Sequence, residues 1–330
     1  MTESFEPVRW GILGTAGIAR DAFLPALAEA GGGTALVVGS RQGRTAAAWA
    51  SAHGVAEGVE DYARVLEDPR VEAVYIPLPN GLHAEWTIAS LRAGKTVFCE
   101  KPLCSTPEET AAVLEVARSS PGPLWEAFVF PFHAQTERLM ALLAAGTIGE
   151  LREVRSSFHF LLDDEEDIRL LAELSGGAVQ DVGCYPIRLA RLVFGAEPVE
   201  GRVRADARWS ATGVDEELWG ALAFPGDRRL VLSCGFRSAD DTSTTLLGTA
   251  GRIHLTNPFH PGSGDTITVV RREHVQAEDS PGVCERSFTA TIRHIHRVVR
   301  GLEEPRHLAV DEAMGNAQAI AALLRAARAG

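Results

Sequence analysis

Lys95-Thr96-Val97-Phe98-Cys99-Glu100-Lys101-Pro102-Leu103 is the stretch from which this 330-residue chain is best read. Thr96 to Cys99 is a short apolar run with the length of a buried strand. It stops abruptly at Glu100, Lys101 and Pro102. A lysine at such a place is costly to bury unless it has a partner or a task. The proline restricts the residue before it and, in its cis form, sets a tight turn that aims Lys101 into a cleft. A strand end with a solvated ion pair is the plainer reading, and the neighbouring sequence decides between them.

Similar apolar runs occupy residues 8–13, 34–39, 72–76 and 124–128. Helical patterns lie between the runs, after 14–19 through Ala30 and over 44–53, 83–93 and 107–119. Strands alternating with helices specify an α/β fold with a parallel, doubly wound sheet. Past Ala127 the alternation ends. A helix is expected over 135–145 and a long strand over 151–162, then strand-like text at 199–207, 218–224, 230–236, 244–248, 252–255 and 266–270. Helices over 290–300 and 311–329 close the chain. The expectation is a Rossmann dinucleotide-binding domain over 1–123. An α+β domain over 124–330 follows, with one large, mostly antiparallel open sheet for substrate binding and oligomerisation.

The length suits two domains, each able to bury a core. Apolar residues make up 45% and charged residues 23%, an ordinary soluble composition. A formal net charge of −12 argues against nucleic-acid or anionic-membrane partners. There is no apolar run of membrane-spanning length and no signal-peptide pattern at the start. Cys99, Cys104, Cys184, Cys234 and Cys284 are scattered, with no zinc-type pair, and His294 and His296 fall on different helix faces. A reduced, cytoplasmic protein without a metal is the expectation.

Gly14-Thr15-Ala16-Gly17-Ile18-Ala19 joins the first strand to its helix. The pattern approximates G-x-G-x-x-G/A, which lets a backbone turn and a helix N-terminus approach a pyrophosphate; here alanines stand at the second and third glycine positions. After the second strand, a carboxylate would hold the ribose 2′-hydroxyl of NAD. The chain instead has Ser40 and Arg41, with Arg44 a turn later, groups suited to a 2′-phosphate, so NADP(H) is expected over NAD(H). The loop Pro77-Leu78-Pro79-Asn80-Gly81-Leu82-His83 leaves the carboxyl edge of the sheet, where ligands bind. Asn80 and His83 are placed to touch the cofactor, or Asn80 caps the next helix.

In the second half, residues 163–167 form an acidic run, read as a solvated loop. Ser175 to Arg188 leads from a glycine turn into an amphipathic helix, with Asp181, Tyr185 and Arg188 at spacings of four and three. A stripe of carboxylate, phenol and guanidinium lines a pocket or is simply a helix surface.

The chain resembles the glucose–fructose oxidoreductase and inositol dehydrogenase family, in the branch with dihydrodiol dehydrogenases, NADP xylose dehydrogenases and sugar 3-ketoreductases. The resemblance covers nearly the whole length. It rests on 14–19, Ser40-Arg41, 77–83 with Glu85-Trp86-Thr87, Glu100-Lys101-Pro102, Glu126-Ala127-Phe128 and 176–185. It implies that the catalytic lysine is Lys101, the acid/base residue Tyr185 and the associated aspartate Asp181. It also implies an open sheet that often forms the oligomer contact, hence a homodimer or homotetramer. Relatives often have a basic residue after Glu126-Ala127-Phe128, where this chain reads Val129-Phe130-Pro131.

The implied activity is interconversion of a secondary alcohol and a ketone, or a lactol and a lactone, on a sugar, keto-sugar or cyclic diol. An ordinary phenol, with a pKa of ~10, is a poor base at neutral pH, and a neighbouring ammonium favours its phenolate. Lys101, Trp125, His159, Asp181 and Tyr185 suit contacts to a polyhydroxylated ring, with Arg169 beside them. The expected cofactor contacts are Gly14, Thr15, Ala16, Ile18, Ser40, Arg41, Arg44, Pro77, Leu78, Asn80, His83, Glu100, Lys101 and Arg169. Two other readings stand beside this one: a nucleotide-sugar ketoreductase, and a non-catalytic dinucleotide-binding regulator. The presence together of Lys101, Asp181 and Tyr185 favours an enzyme.

Overall fold

A computed structural model describes residues 6–329 other than 42, 273 and 283, and only the backbone at 43 and 44. The chain divides into two compact units. The first runs to Cys104 and adds Glu108–Val129 and Glu285–Met314; the second comprises Ser105–Pro107, Phe130–Cys284 and the chain from Gly315 on.

The first unit is built on a six-stranded parallel sheet in the order β3-β2-β1-β4-β5-β6. Its strands are β1 (Val8–Leu13), β2 (Gly33–Ser40), β3 (Glu57–Glu60), β4 (Ala73–Ile76), β5 (Thr96–Cys99) and β6 (Leu124–Glu126). Between them run α1 (Leu24–Ala30), α2 (Gly43–His53), α3 (Tyr62–Glu67), α4 (His83–Arg92) and α5 (Pro107–Ser119). β4 and β5 are buried at every position, as strands covered on both faces must be. β3 and α3 escape the sequence reading because Glu57-Gly58-Val59-Glu60 has no apolar run and sits at the sheet edge. The cut expected at 123/124 falls inside this unit, since Leu124–Glu126 pairs with Val97–Cys99 as the sixth strand.

The unit also takes back α8 (Ser287–Val299), near the end of the chain. Polar ties at both of its ends hold this helix, among them the Thr289 hydroxyl, which donates to the Glu29 carboxylate at 2.8 Å. Trp10 Nε1 in β1 donates to His296 Nε2 at 2.9 Å, and the other ring nitrogen of His296 lies 2.8 Å from the Gly31 carbonyl. Arg300, just past α8, grips the Glu72 carboxylate with both terminal nitrogens at 2.7 and 3.0 Å. Gly33 is small because a side chain there would overlap the His296 ring.

The second unit carries an eight-stranded sheet in the order β14-β13-β12-β11-β7-β10-β9-β8. The strands are β7 (Leu151–Leu161), β8 (Val203–Trp209), β9 (Asp215–Phe224), β10 (Arg228–Gly235), β11 (Arg237–Gly248), β12 (Arg252–Leu255), β13 (Thr266–Arg271) and β14 (His274–Asp279). Neighbours are antiparallel except β7 and β10. β14 is an exposed edge strand, His-Val-Gln-Ala-Glu-Asp, without the alternation that marks a half-buried one. The helices are α6 (Ala134–Ala144) and α7 (Cys184–Phe194), with α9 (Ala309–Ala329) passing from the first unit into the second. α7 packs on β7 and β10.

A wide helical turn, Val179–Gly183, leads into α7. Its start is capped by the buried Asp215, whose carboxylate accepts the Val179 N–H at 2.7 Å. Gly177, at φ +117°, precedes the turn, and a side chain there would overlap Asp215 Oδ1. Burial pushes the Asp215 pKa up to about 6 against the backbone N–H groups that lower it. Among the described residues, no helix is long and apolar enough to cross a membrane.

The Trp10–His296 contact makes stability pH-dependent. Burial pushes the His296 pKa down to about 4; the Gly31 carbonyl opposes this, and Arg300 adds to it. The unfolded histidine titrates near ~6.5, so the folded state favours the neutral ring. Its contribution is fully present above about pH 6.5 and is lost as pH falls through about 4, by about 3 kcal/mol at most. Asp215 titrates in the opposite sense over an overlapping range, so the difference between two proteins is the useful quantity. His296→Gln keeps an acceptor for Trp10 but does not titrate. The stability advantage of wild type over this variant in urea unfolding should shrink between pH 7 and pH 4, and an unchanged difference would count against the buried neutral ring.

Candidate active site

In the first unit the strand order reverses between β1 and β4, which bring their carboxyl ends side by side. That crevice is where doubly wound sheets take ligands. Gly14 ends β1 at φ +109°, where a side chain is strained, and a Cβ there would stand 3.0 Å from Leu78 Cδ2. Its N–H bonds the Gly39 carbonyl at 2.9 Å. Thr15 and Ala16 are half-buried, and the Ala16 carbonyl accepts the Ala19 and Arg20 amides, which starts the helical segment. Ile18 is exposed at its mouth. Ser40 ends β2 and Arg41 follows it, exposed; the side chain of Arg44 lies outside the described residues. Pro77 and Leu78 are buried after β4, and Asn80 opens the single helical turn Asn80–Leu82 that leads into α4.

Two residues expected at the cofactor take internal tasks. His83 is fully buried, with Nε2 2.7 Å from the Leu78 carbonyl and Nδ1 2.8 Å from the Pro102 carbonyl. Burial pulls its pKa down, the two carbonyls pull it up, and the Lys101 charge pulls it down again. Glu100 is buried and accepts the Tyr75 hydroxyl at 2.6 Å, while its other oxygen lies 3.4 Å from the Lys101 amide. Both side chains are therefore fasteners of the turn rather than surfaces for a ligand. Lys101 itself is half-buried, and its peptide with Pro102 is cis. Behind the turn, the Leu103 amide donates to the Glu126 carboxylate at 2.8 Å.

In the second unit, Tyr185 on α7 is 5% exposed. Its ring is surrounded by Phe130, Phe158 and Phe259 at centroid distances of 6.4, 5.4 and 5.2 Å, and its hydroxyl lies 3.3 Å from His260 Nε2. Asp181, one turn earlier, is held by Arg169 Nε at 2.8 Å, and the same guanidinium reaches the Asp167 carboxylate. Arg169 is thus the partner of Asp181 within its own unit. Arg188, third on the predicted stripe, is buried rather than surface-exposed.

Two expected substrate contacts are also corrected. Trp125 is fully buried in the first unit, where its Nε1 donates to the Arg306 carbonyl at 2.8 Å and its ring meets His294 edge-on. His159 alternates with Phe158 on β7, so it points to the sheet face opposite Tyr185, where its Nε2 lies 2.9 Å from Ser233 Oγ. The sequence reading missed His260, Phe259, Phe158 and Asp215. The only local hint at the first two was Pro258-Phe259-His260-Pro261, an aromatic loop between strands. Among the described residues, no group of three or more His, Cys, Asp or Glu gathers to hold a metal ion.

Residues 8–128 match the oxidoreductase family with an NAD-binding Rossmann fold, and residues 136–254 match the GFO/IDH/MocA C-terminal domain. The chain is 37% identical over 252 residues to D-xylose 1-dehydrogenase (NADP(+)) 2 of Haloferax volcanii, covering 76% of each protein. It is 36% identical over 309 residues, 91% of each chain, to the dTDP-3,4-didehydro-2,6-dideoxy-alpha-D-glucose 3-reductase of Saccharopolyspora spinosa. Its fold is similar to KijD10, a 3-ketoreductase from Actinomadura kijaniata solved in complex with NADP and TDP-benzene, at a TM-score of 0.87 and 32% identity over 98% of each chain. With both of its halves matched in this way, the chain belongs to the GFO/IDH/MocA family of oxidoreductases.

Proposed function

We propose that this oxidoreductase uses NADP(H) to interconvert a secondary alcohol and a ketone, or a lactol and a lactone, on a sugar, keto-sugar or cyclic diol. The observation that carries the reading is Tyr185, a phenol enclosed by three phenylalanine rings one helical turn from a clamped aspartate. Gly14, Thr15, Ala16, Ile18, Ser40, Arg41, Arg44, Pro77, Leu78 and Asn80 would hold the cofactor. The cramped space at Gly14 and the exposed Arg41 beyond β2 fit a dinucleotide with a 2′-phosphate. The dinucleotide, when bound, supplies or accepts the hydride.

The remaining steps belong to the chain. Tyr185 exchanges a proton with the substrate oxygen, and Lys101 stabilises the charge that develops on it. Asp181, its direction set by Arg169, accepts a hydrogen bond from a neighbouring substrate hydroxyl. Relatives often carry a basic residue in the loop that here reads Val129-Phe130-Pro131, and Phe130 puts an apolar ring beside Tyr185, whose hydroxyl faces His260. A reducing, cytoplasmic setting is part of the proposal: none of the five cysteines is in a disulfide, and four are buried.

NADPH and NADH titrations followed by protein fluorescence, then a spectrophotometric screen over sugars, keto-sugars and cyclic diols, test this reading. NADPH should bind at least about tenfold more tightly than NADH. Tyr185→Phe and Lys101→Ala should each lower kcat about 10²-fold or more on the substrate found. Wild-type turnover in both variants would refute the assignment, and tight NADPH binding with no turnover anywhere would favour a regulator.

A nucleotide-sugar substrate is the second reading, favoured by the dTDP-sugar reductase among the relatives. On that reading free dTDP competes with substrate at micromolar to millimolar concentration; an absence of competition leaves the smaller substrates. We also propose a homodimer or homotetramer built on the outer face of the eight-stranded sheet. Trp219 and Val231, 49% and 38% exposed on neighbouring strands, share that face. Trp219→Glu should then shift the sedimentation coefficient to that of a smaller species, and a wild type that already sediments as a monomer would dismiss the contact.

A further inference from the structure

His83 opens α4, and its two ring nitrogens meet carbonyls from two different loops. Leu78, on the Nε2 side, lies in the loop after β4 and packs its side chain beside Gly14. Pro102, on the Nδ1 side, directly follows Lys101. Carbonyls accept and never donate, so each contact needs a ring N–H: a neutral imidazole serves one oxygen at a time and an imidazolium serves both. The rigid ring fixes the separation of the two oxygens in either case. With no exposed surface, the ring has no edge to offer a ligand.

We infer that His83 is a positioning residue, a strut that sets the Lys101 turn against the Leu78 loop beside the glycine turn. The inference rests on the proposal that Lys101 acts in catalysis and that the Gly14 and Leu78 loops hold the dinucleotide. Displacing either loop alters a different step. Release of the Pro102 carbonyl lets Lys101 drift, which reaches kcat. Release of the Leu78 carbonyl loosens the loop against Gly14, which reaches dinucleotide affinity.

Two substitutions separate these effects. The amide of His83→Gln reaches the Nε2 position and keeps the Leu78 bond. The shorter amide of His83→Asn falls near Nδ1 and keeps the Pro102 bond. His83→Gln should lower kcat about tenfold with the NADPH Kd within about twofold of wild type. His83→Asn should raise the NADPH Kd about fivefold or more with kcat nearly retained. Both effects falling in proportion to a common loss of Tm, or neither appearing, overturns the strut. Lys101→Ala measured alongside separates the two levels. If it keeps wild-type kcat, the catalytic reading fails, and the strut is judged on the NADPH Kd of His83→Asn alone. If neither His83 variant folds, the wild-type protein decides through its His83 ring-nitrogen NMR signals: they should move when NADPH binds, and signals that stay fixed overturn the proposal.

Discussion

Strands buried on both faces leave a chain nowhere to place polar chemistry except beyond their ends. β4 and β5 are buried at every position and apolar but for Tyr75 and Thr96, so polarity resumes at Asn80 and at Glu100–Lys101. The exception inside β4 shows how strict the constraint is: the Tyr75 hydroxyl is tolerated because Glu100 accepts it at 2.6 Å. A turn that emerges from such a strand soon runs out of sheet partners, here after the Glu100 amide bonds the Ile76 carbonyl, and must be fastened by side chains from below. Glu100, Glu126 and His83 do this, each by bonding backbone or a buried hydroxyl rather than solvent. The chemistry of the half-buried Lys101 depends on that buried set.

In the second unit the same problem is solved at a helix start. Asp215 satisfies an amide that no helical carbonyl can reach, and Gly177 leaves room for its carboxylate. Gly183 permits close approach to β10, since a Cβ there would come within 2.8 Å of Cys234 Sγ. The helix start is thereby seated low on the sheet, which brings the Tyr185 ring among Phe130, Phe158 and Phe259. Water-poor aromatic surroundings magnify whatever charge is placed near the phenol.

The strands with apolar runs were legible from the sequence almost to the residue, because burial on both faces demands such runs. The edge strands β3 and β14 were not, since an edge needs no apolar run and carries charge instead. The return of α8 to the first unit was also hidden: Trp10 and His296 are 286 residues apart, and no local pattern links them. Within the site, helical spacing correctly put Asp181 and Tyr185 on neighbouring turns of one helical stretch. Alternation along β7 showed that Phe158 and His159 face opposite ways but not which way was inward, so the more polar of the two was misassigned. His83 was misread for a related reason. A histidine at a sheet edge looks like a ligand contact, and its true partners are backbone carbonyls, which no residue letter reveals.

The Arg169–Asp181 pair bears on what the site can accept. A guanidinium shared between Asp181 and Asp167 has its charge largely answered within the protein. The carboxylate it holds remains an acceptor of fixed direction, suited to a hydroxyl. A diphosphate asks for the opposite arrangement, uncommitted cations facing the ligand. The segment that supplies Arg169 also carries the run Asp163-Asp164-Glu165-Glu166-Asp167, four of whose five carboxylate residues are exposed. Beside Tyr185 stand three phenylalanine rings, with the His260 imidazole at its hydroxyl. Sugars and cyclic diols present hydroxyls at their edges and C–H groups on their faces, which matches a directed acceptor beside aromatic rings. These features of the second unit favour a neutral polyhydroxylated ring over a nucleotide-linked one, despite the likeness to dTDP-sugar reductases.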